Sequence, residues 1–322
     1  MGGYTYRLVE ALREKDCEVD VFTGNNFKLL NATNLAEQVL ASKPDIVHIQ
    51  YPTAGYGPSL GPQMLSVLIR RCVITLHEVS QVNLLRRLSL YPFSFRTRHI
   101  IFTNAFEKDY ATKYAPWIAR RSSVIPIGSA IQPCDSNQEK DLSEIVYFGL
   151  IRPKKGIEEV LTLARLIKLN SLSMSIRIIG MIEPRFQPYL LRLQNVSSDL
   201  PVTWNLGLPE DVVSVLLSRS KVAYMPFPDG ASERRSSLLA LLANDVATVT
   251  TSGPFTPYEM NGVVKYAATP AEALPLIKEF LSNVEKRSEV ASEMRKYMQR
   301  RQWGEIAAAH AVLYQSALKL KS

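Results

Sequence analysis

Three cations, Arg152, Lys154 and Lys155, lie in the short stretch between Gly149 and Gly156. Before them, Ile145, Val146, Tyr147 and Phe148 form a β-branched and aromatic run that reads as a buried strand. After them, Ile157, Val160, Leu161, Ala164 and Ile167 recur at the spacing of a helix face. Cations in a loop that leaves the carboxyl end of a strand and enters a helix suit a phosphorylated ligand. A second anion site is read at Arg234, Arg235, Ser236 and Ser237, ahead of a helix from Leu238 to Ala243. Two guanidiniums, two hydroxyls and helix-start N–H groups carry that reading; the plainer alternative is Ser236 as a helix cap. His77 ends the apolar run VITL and is followed by Glu78, which could orient it. His48 lies inside IVHIQ and reads as structural. Gly2 and Gly3 allow backbone to approach a ligand closely.

Alternating elements must position these residues. Strand patterns fall at Val19–Thr23, Ile46–Gln50, Val73–Leu76, Ile100–Thr103 and Val124–Ile127, then at Ile145–Phe148, Ile176–Ile179, Val202–Trp204, Val222–Met225 and Ala247–Thr250. Helical patterns separate most of them, the rhythm of βαβ units in mostly parallel sheets. The polar stretch 132–143, QPCDSNQEKDLS, has neither period and reads as a linker between two α/β halves. The first helix should bury Tyr6, Val9 and Leu12, and the strand that doubly wound domains place before such a glycine loop is absent from the sequence. A last helix aligns Trp303, Ile306, Ala307, His310 and Leu313 or Tyr314 on one face, which reads as packing.

The 322 residues are 46% apolar and 21% charged, ordinary for a globular protein of about two domains. No long uncharged apolar stretch and no signal peptide is visible. Cys17, Cys72 and Cys134 lack metal-ligand spacing, and with four histidines, His48, His77, His99 and His310, a zinc site is not expected. Free thiols and a cytoplasmic location are the expectation. The net charge of +8 admits nucleic acid, an anionic membrane or phosphorylated small molecules as partners. Nucleic acid is not expected, since the sequence shows no zinc-finger spacing, RNP-like aromatic strand or basic helix. Arg86, Arg87, Arg96 and Arg98, then Arg120 and Arg121, flank LSLYPFSF, a composition suited to peripheral binding at the inner face of a membrane. A solvated loop is the alternative. No G-x-G-x-x-G follows a strand, which disfavours a dinucleotide oxidoreductase.

Taken in order, several segments resemble the motifs of retaining glycosyltransferases of the GT-B fold, family 4 type. They are GGYTYRLVEAL, PDIVHIQYP, VITLHEV, VIPIGSAI, FGLIRPKKG, RIIG, PFPDGASERRSSLLALLANDVATVTT and RQWGEIAAAHAVLYQSAL. The resemblance implies an α/β fold of two Rossmann-like doubly wound domains facing each other across a cleft, with the C-terminal helix crossing back to the first. It implies an acceptor-binding domain at 1–131, a linker at 132–143, a nucleotide-sugar-binding domain at 144–300 and the returning helix at 301–322. It further implies that Lys155, with Arg152 replacing an arginine the family has where this chain has Leu150, holds the donor diphosphate, and that His77 touches the donor sugar. Gly2, Gly3, Ser232, Glu233, Arg234, Arg235, Ser236 and Ser237 fall at donor-binding positions, and Tyr51, His77 and Glu78 on the acceptor side. The family's paired glutamates fall at Ser232 and Ala240, and Glu233 is one position off. The implied reaction moves a sugar from a nucleotide-sugar, with UDP-glucose as the default, to a hydroxyl acceptor in polysaccharide or lipid-linked glycan synthesis. It needs no metal or cofactor, the nucleotide-sugar being a co-substrate. The competing reading is a non-catalytic GT-B scaffold or partner-binding subunit.

Overall fold

The computed structural model describes residues 3–23, 27–52, 56, 59–80, 88, 90–134, 140 and 142–319. The chain forms two compact units, Met1–Gly128 with Arg301–Ser322, and Ser129–Arg300. Both are α/β. Gly2, Arg86 and Arg87 lie outside the described residues.

In the first unit, β1 (Val47–Tyr51), β2 (Cys72–Leu76), β3 (His99–Phe102) and β4 (Ser122–Val124) form a parallel sheet in that order. Side chains of successive strand residues point to opposite faces. Ile49, Tyr51, Ile74, Leu76, Ile100 and Phe102 therefore share one apolar layer, with Leu35, Val39, Leu65 and Phe93 from the covering helices. Val73 and Ile101 lie in a second layer with helices Gly3–Arg13 and Trp303–Lys319, through Leu8, Leu12, Trp303, Ile306 and Leu313. The C-terminal helix thus belongs to the first unit. Gly128 marks the close approach: a Cβ there would lie 2.7 Å from the Arg301 carbonyl oxygen and 2.9 Å from the Trp303 ring.

The second unit holds a six-stranded parallel sheet in the order β10-β9-β8-β5-β6-β7. The strands are β5 (Leu142–Leu150), β6 (Ile176–Met181), β7 (Val202–Leu206), β8 (Ser220–Met225), β9 (Ala247–Thr250) and β10 (Lys265–Tyr266). Ile145, Val146, Ile176, Ile178, Val222 and Ala223 are fully buried, the two-sided burial of a parallel sheet.

Four sequence expectations are corrected. Val19–Thr23 is not a strand; Val21 and Phe22 are exposed, and it pairs with no described strand. The strand expected at Val124–Ile127 lies at Ser122–Val124 instead, because Pro126 has no N–H to extend the ladder beyond the bond from Ile125 to Phe102. Tyr6 is 46% exposed; the first helix buries Leu8, Val9, Ala11 and Leu12. β5 starts at Leu142, inside the stretch read as a linker, and Lys140 donates from Nζ to the carbonyls of Ser218, Ser220 and Asn244.

Candidate functional site

In the second unit, β5 and β8 are neighbours, so the loops leaving their carboxyl ends lie at one edge of the sheet. The first loop runs into helix Ile157–Leu169 and the second into helix Ser236–Ala243. The loops touch at Gly156. It has φ +80°, and a Cβ there would stand 1.9 Å from the Pro226 carbonyl oxygen, so only glycine fits. Tyr147, on β5, donates its hydroxyl to the Lys155 carbonyl at 3.1 Å and anchors the loop from below.

Charge gathers at this edge. Lys155 is half-buried and lies within electrostatic reach of Arg235, Arg152 and Asp229. Burial first, then the Arg235 and Arg152 guanidiniums, hold its ammonium below the ordinary lysine value; Asp229 opposes them. Cations crowded together this way repel each other, and an anion relieves the repulsion. Arg235 pairs with Asp229 and lies 4.7 Å over the Phe227 ring, while its buried Nε has no partner. Arg234 lies 5.6 Å over the Phe255 ring. Lys154 is exposed, as a solvated neighbour would be.

The helix after these arginines begins at Ser236 rather than Leu238, and its N-cap, Arg235, makes no side-chain capping bond. Ser236 therefore sits in the first turn and does not cap it. The Ser237 Oγ lies 3.7 Å from where a Gly149 Cβ would be, which brings it to the end of β5. Ser232 is buried and Glu233 half-buried in the preceding turn. Ala240 is fully buried, so that position presents nothing to a ligand.

In the first unit, His77 follows β2 and donates its backbone N–H to Tyr51 at 2.8 Å. Its Nε2 meets Gln50 Oε1 at 2.9 Å, and the Tyr4 ring stands edge-on at 4.9 Å. Burial pushes its imidazole down to about 4, with His310 adding to the effect, so His77 is neutral at ordinary pH. The next turn is held by a residue that the sequence reading missed. The carboxylate of Glu107, fully buried, accepts the N–H groups of Val79 and Ser80 and the Ser80 hydroxyl, each at 2.8 Å. Glu107 is set by the cap of its own helix, where Asn104 accepts its N–H at 2.9 Å. A glutamate three residues after an asparagine is the sequence signal for such a helix start; its long-range target is not legible. Glu78 is half-buried beside His77.

Tyr51 is corrected. It is 3% exposed, its ring packs at 5.1 Å from Phe93, and its hydroxyl accepts from Gln63 at 3.1 Å. Its side chain is part of the core. Gly3 is exposed and opens the first helix. Arg152, Lys155, Arg234, Arg235, Ser236 and Ser237 belong to the second unit and His77 to the first.

No protein-family model matches the chain, and no curated protein does. Solved structures do. A glycosyltransferase from Rickettsia africae aligns at TM-score 0.70 and 15% identity, over 97% of this chain and 88% of that one. HepE of Anabaena, solved with UDP and glucose, aligns at TM-score 0.68 and 16% identity, over 96% and 89%. A UDP-forming α,α-trehalose-phosphate synthase from Burkholderia vietnamiensis aligns at TM-score 0.64 and 12% identity, over 89% and 76%. The chain therefore has the two-unit α/β fold of GT-B glycosyltransferases. At these identities the likeness speaks to fold alone.

Proposed function

We propose that the chain is a retaining glycosyltransferase that moves a hexose from a UDP-sugar, such as UDP-glucose, to a hydroxyl acceptor in polysaccharide or lipid-linked glycan synthesis. The observation that carries the reading is the gathering of Arg152, Lys155 and Arg235 at the carboxyl edge of the second sheet, beside two helix starts. The neighbour HepE is solved with UDP and glucose, which supports the same class of donor here. In the proposed reaction the bond from the sugar's anomeric carbon to the diphosphate oxygen breaks. The acceptor oxygen bonds that carbon from the same face, and its proton passes to the departing diphosphate. Lys155 and Arg152 hold the diphosphate and stabilise its growing charge without a metal; His77 contacts the sugar. The scaffold reading draws on one observation, the absence of carboxylates at Ser232 and Ala240. Calorimetric titration with UDP, GDP and ADP, first without metal and then with magnesium, separates the two. Metal-independent binding of UDP is expected; no binding of any nucleotide favours the scaffold.

We also propose that the first unit rests on an anionic membrane. Phe95, 63% exposed, stacks on the half-exposed Trp117 at 5.5 Å, with Tyr91 6.2 Å from the same indole. Arg96 and Arg120 are exposed around them, and Arg121 donates to the Thr97 carbonyl at 2.7 Å. Aromatic rings with an arginine rim suit a headgroup layer. No helix of the described residues is long and apolar enough to cross a membrane. The protein should sediment with phosphatidylglycerol vesicles and not with phosphatidylcholine, and Phe95→Ser/Trp117→Ser should lose at least about tenfold in that affinity. Equal sedimentation with both lipids, or with neither, refutes the proposal.

A further inference from the structure

The face of β1 and β2 that receives the C-terminal helix carries polar side chains where a buried parallel sheet is ordinarily apolar. His48 and Gln50 alternate on β1, and the register sets Gln50 opposite Thr75 on β2. These groups join into a hydrogen-bonded line. The Tyr314 hydroxyl meets His48 Nδ1 at 2.6 Å, Gln50 Nε2 meets His48 Nε2 at 3.2 Å, and Gln50 Oε1 meets His77 Nε2 at 2.9 Å. Thr75 Oγ1 stands 2.8 Å from His48 Nε2. The line therefore starts on the C-terminal helix and ends at the residue given a sugar contact above.

The bonding pattern allows one assignment of protons for this Gln50 orientation. Gln50 Oε1 can only accept, so His77 Nε2 carries a proton. Gln50 Nε2 can only donate, so His48 Nε2 is a lone pair and His48 Nδ1 donates to Tyr314. His77 Nδ1 is then unprotonated, and no described protein group bonds to it. Turning the Gln50 amide over reverses every proton at once, so His48 and His77 change tautomer together.

We propose that Tyr314, His48 and Gln50 are positioning residues that hold His77 as its Nε2–H tautomer and present the bare Nδ1 as a hydrogen-bond acceptor for a hydroxyl of the transferred sugar. The inference rests on the glycosyltransferase reading for its ligand and on the hydrogen-bond line for its geometry. A bare imidazole nitrogen selects a hydroxyl donor and gives a phosphate oxygen nothing to bind, so the relay separates the sugar-contacting role of His77 from the diphosphate-holding role of the cations. Around the line stand Tyr4 on the first helix, His310 on the last and Glu78 next in sequence, and all three histidines are held neutral by burial.

The first test needs no activity. Long-range ¹H–¹⁵N spectra of the ¹⁵N-histidine-labelled full chain should show His77 protonated at Nε2 and His48 at Nδ1. In Tyr314→Phe, His48 Nδ1–H loses its acceptor, and an orphaned donor is the less tolerated state; both histidines should move to the opposite tautomer together. A wild-type His77 protonated at Nδ1, or a Tyr314→Phe variant in which only His48 responds, overturns the relay. The second test is kinetic. Gln50→Leu should lower kcat for the sugar-nucleotide about tenfold, the weight of one positioning bond, with UDP affinity unchanged. Gln50→Glu should restore kcat at alkaline pH and lose it as pH falls, because a carboxylate beside both rings favours their charged forms. Unchanged kcat in Gln50→Leu overturns the proposed service to the reaction. Loss of UDP binding in Lys155→Ala is decided separately, so failure of the relay and failure of the transferase reading give different results.

Discussion

Lys155→Ala should abolish metal-independent UDP binding and lower kcat/KM by roughly 10²- to 10³-fold, the usual cost of removing one preorganised group from a developing oxyanion. The expectation follows from where Lys155 sits. Its backbone is fixed from two sides, by the Tyr147 hydroxyl on its carbonyl and by the following Gly156 wedged against Pro226, so the ammonium needs little reorganisation when charge develops. It is half-buried and already depressed by burial, Arg235 and Arg152, so a diphosphate gains more from it than from a solvated lysine. Lys154→Ala supplies the control: one residue away, exposed, it should change kcat/KM less than about threefold, as screened surface charge does. Calorimetry and initial rates on the two variants decide the matter. Equal losses in both would reduce the site to a diffuse positive field. Wild-type turnover in Lys155→Ala would remove Lys155 from the reaction and with it the main support for the enzyme.

Why one half of this picture is legible in sequence and the other is not follows from the range of the contacts. The run Ile145–Phe148, the glycine and the helical spacing after Ile157 are local signals, so this strand–loop–helix geometry can be read in one pass along the chain. So can the face of the last helix, where Trp303, Ile306, Ala307 and His310 are all buried. Strand Lys265–Tyr266 is two residues long, too short to carry a period. Val19–Thr23 has strand-like residues but no described partner, and strand propensity describes fit to a sheet surface, not an intrinsic preference. Tyr51 is not decided by sequence, because an aromatic at a strand end looks the same whether it points to ligand or to core; packing on Phe93 tells. The histidine line depends on the register of β1 on β2 and on a tyrosine 266 positions away, and neither is written locally. The signal that was available is the pair His48 and Gln50, polar and two apart in a strand that parallel packing would make apolar throughout.

His48 of that pair, with His77 and His310, should make the protein sensitive to mild acid. His48 and His310 have ring centroids 5.5 Å apart, and His310 is fully buried with Nδ1 donating to the Ile306 carbonyl at 2.7 Å and Nε2 without a partner. Burial lowers all three imidazoles, His77 and His310 to about 4. An unfolded chain returns each to about 6.5. Between those values the unfolded state binds the more protons, so stability is whole above about pH 6.5 and drains away as pH falls towards about 4. His310 alone is worth on the order of 3 kcal/mol across that window, at about 1.4 kcal/mol for each unit of displacement. Thermal unfolding should therefore show Tm falling steeply between about pH 6.5 and 4.5. His310→Leu, which cannot titrate, should flatten that fall even if it costs stability at neutral pH, since its curve loses one proton of uptake. Parallel curves for wild type and His310→Leu would mean that His310 charges without penalty in the folded protein. The cluster would then be open to water, and the proton assignment that fixes His77 would lose its footing.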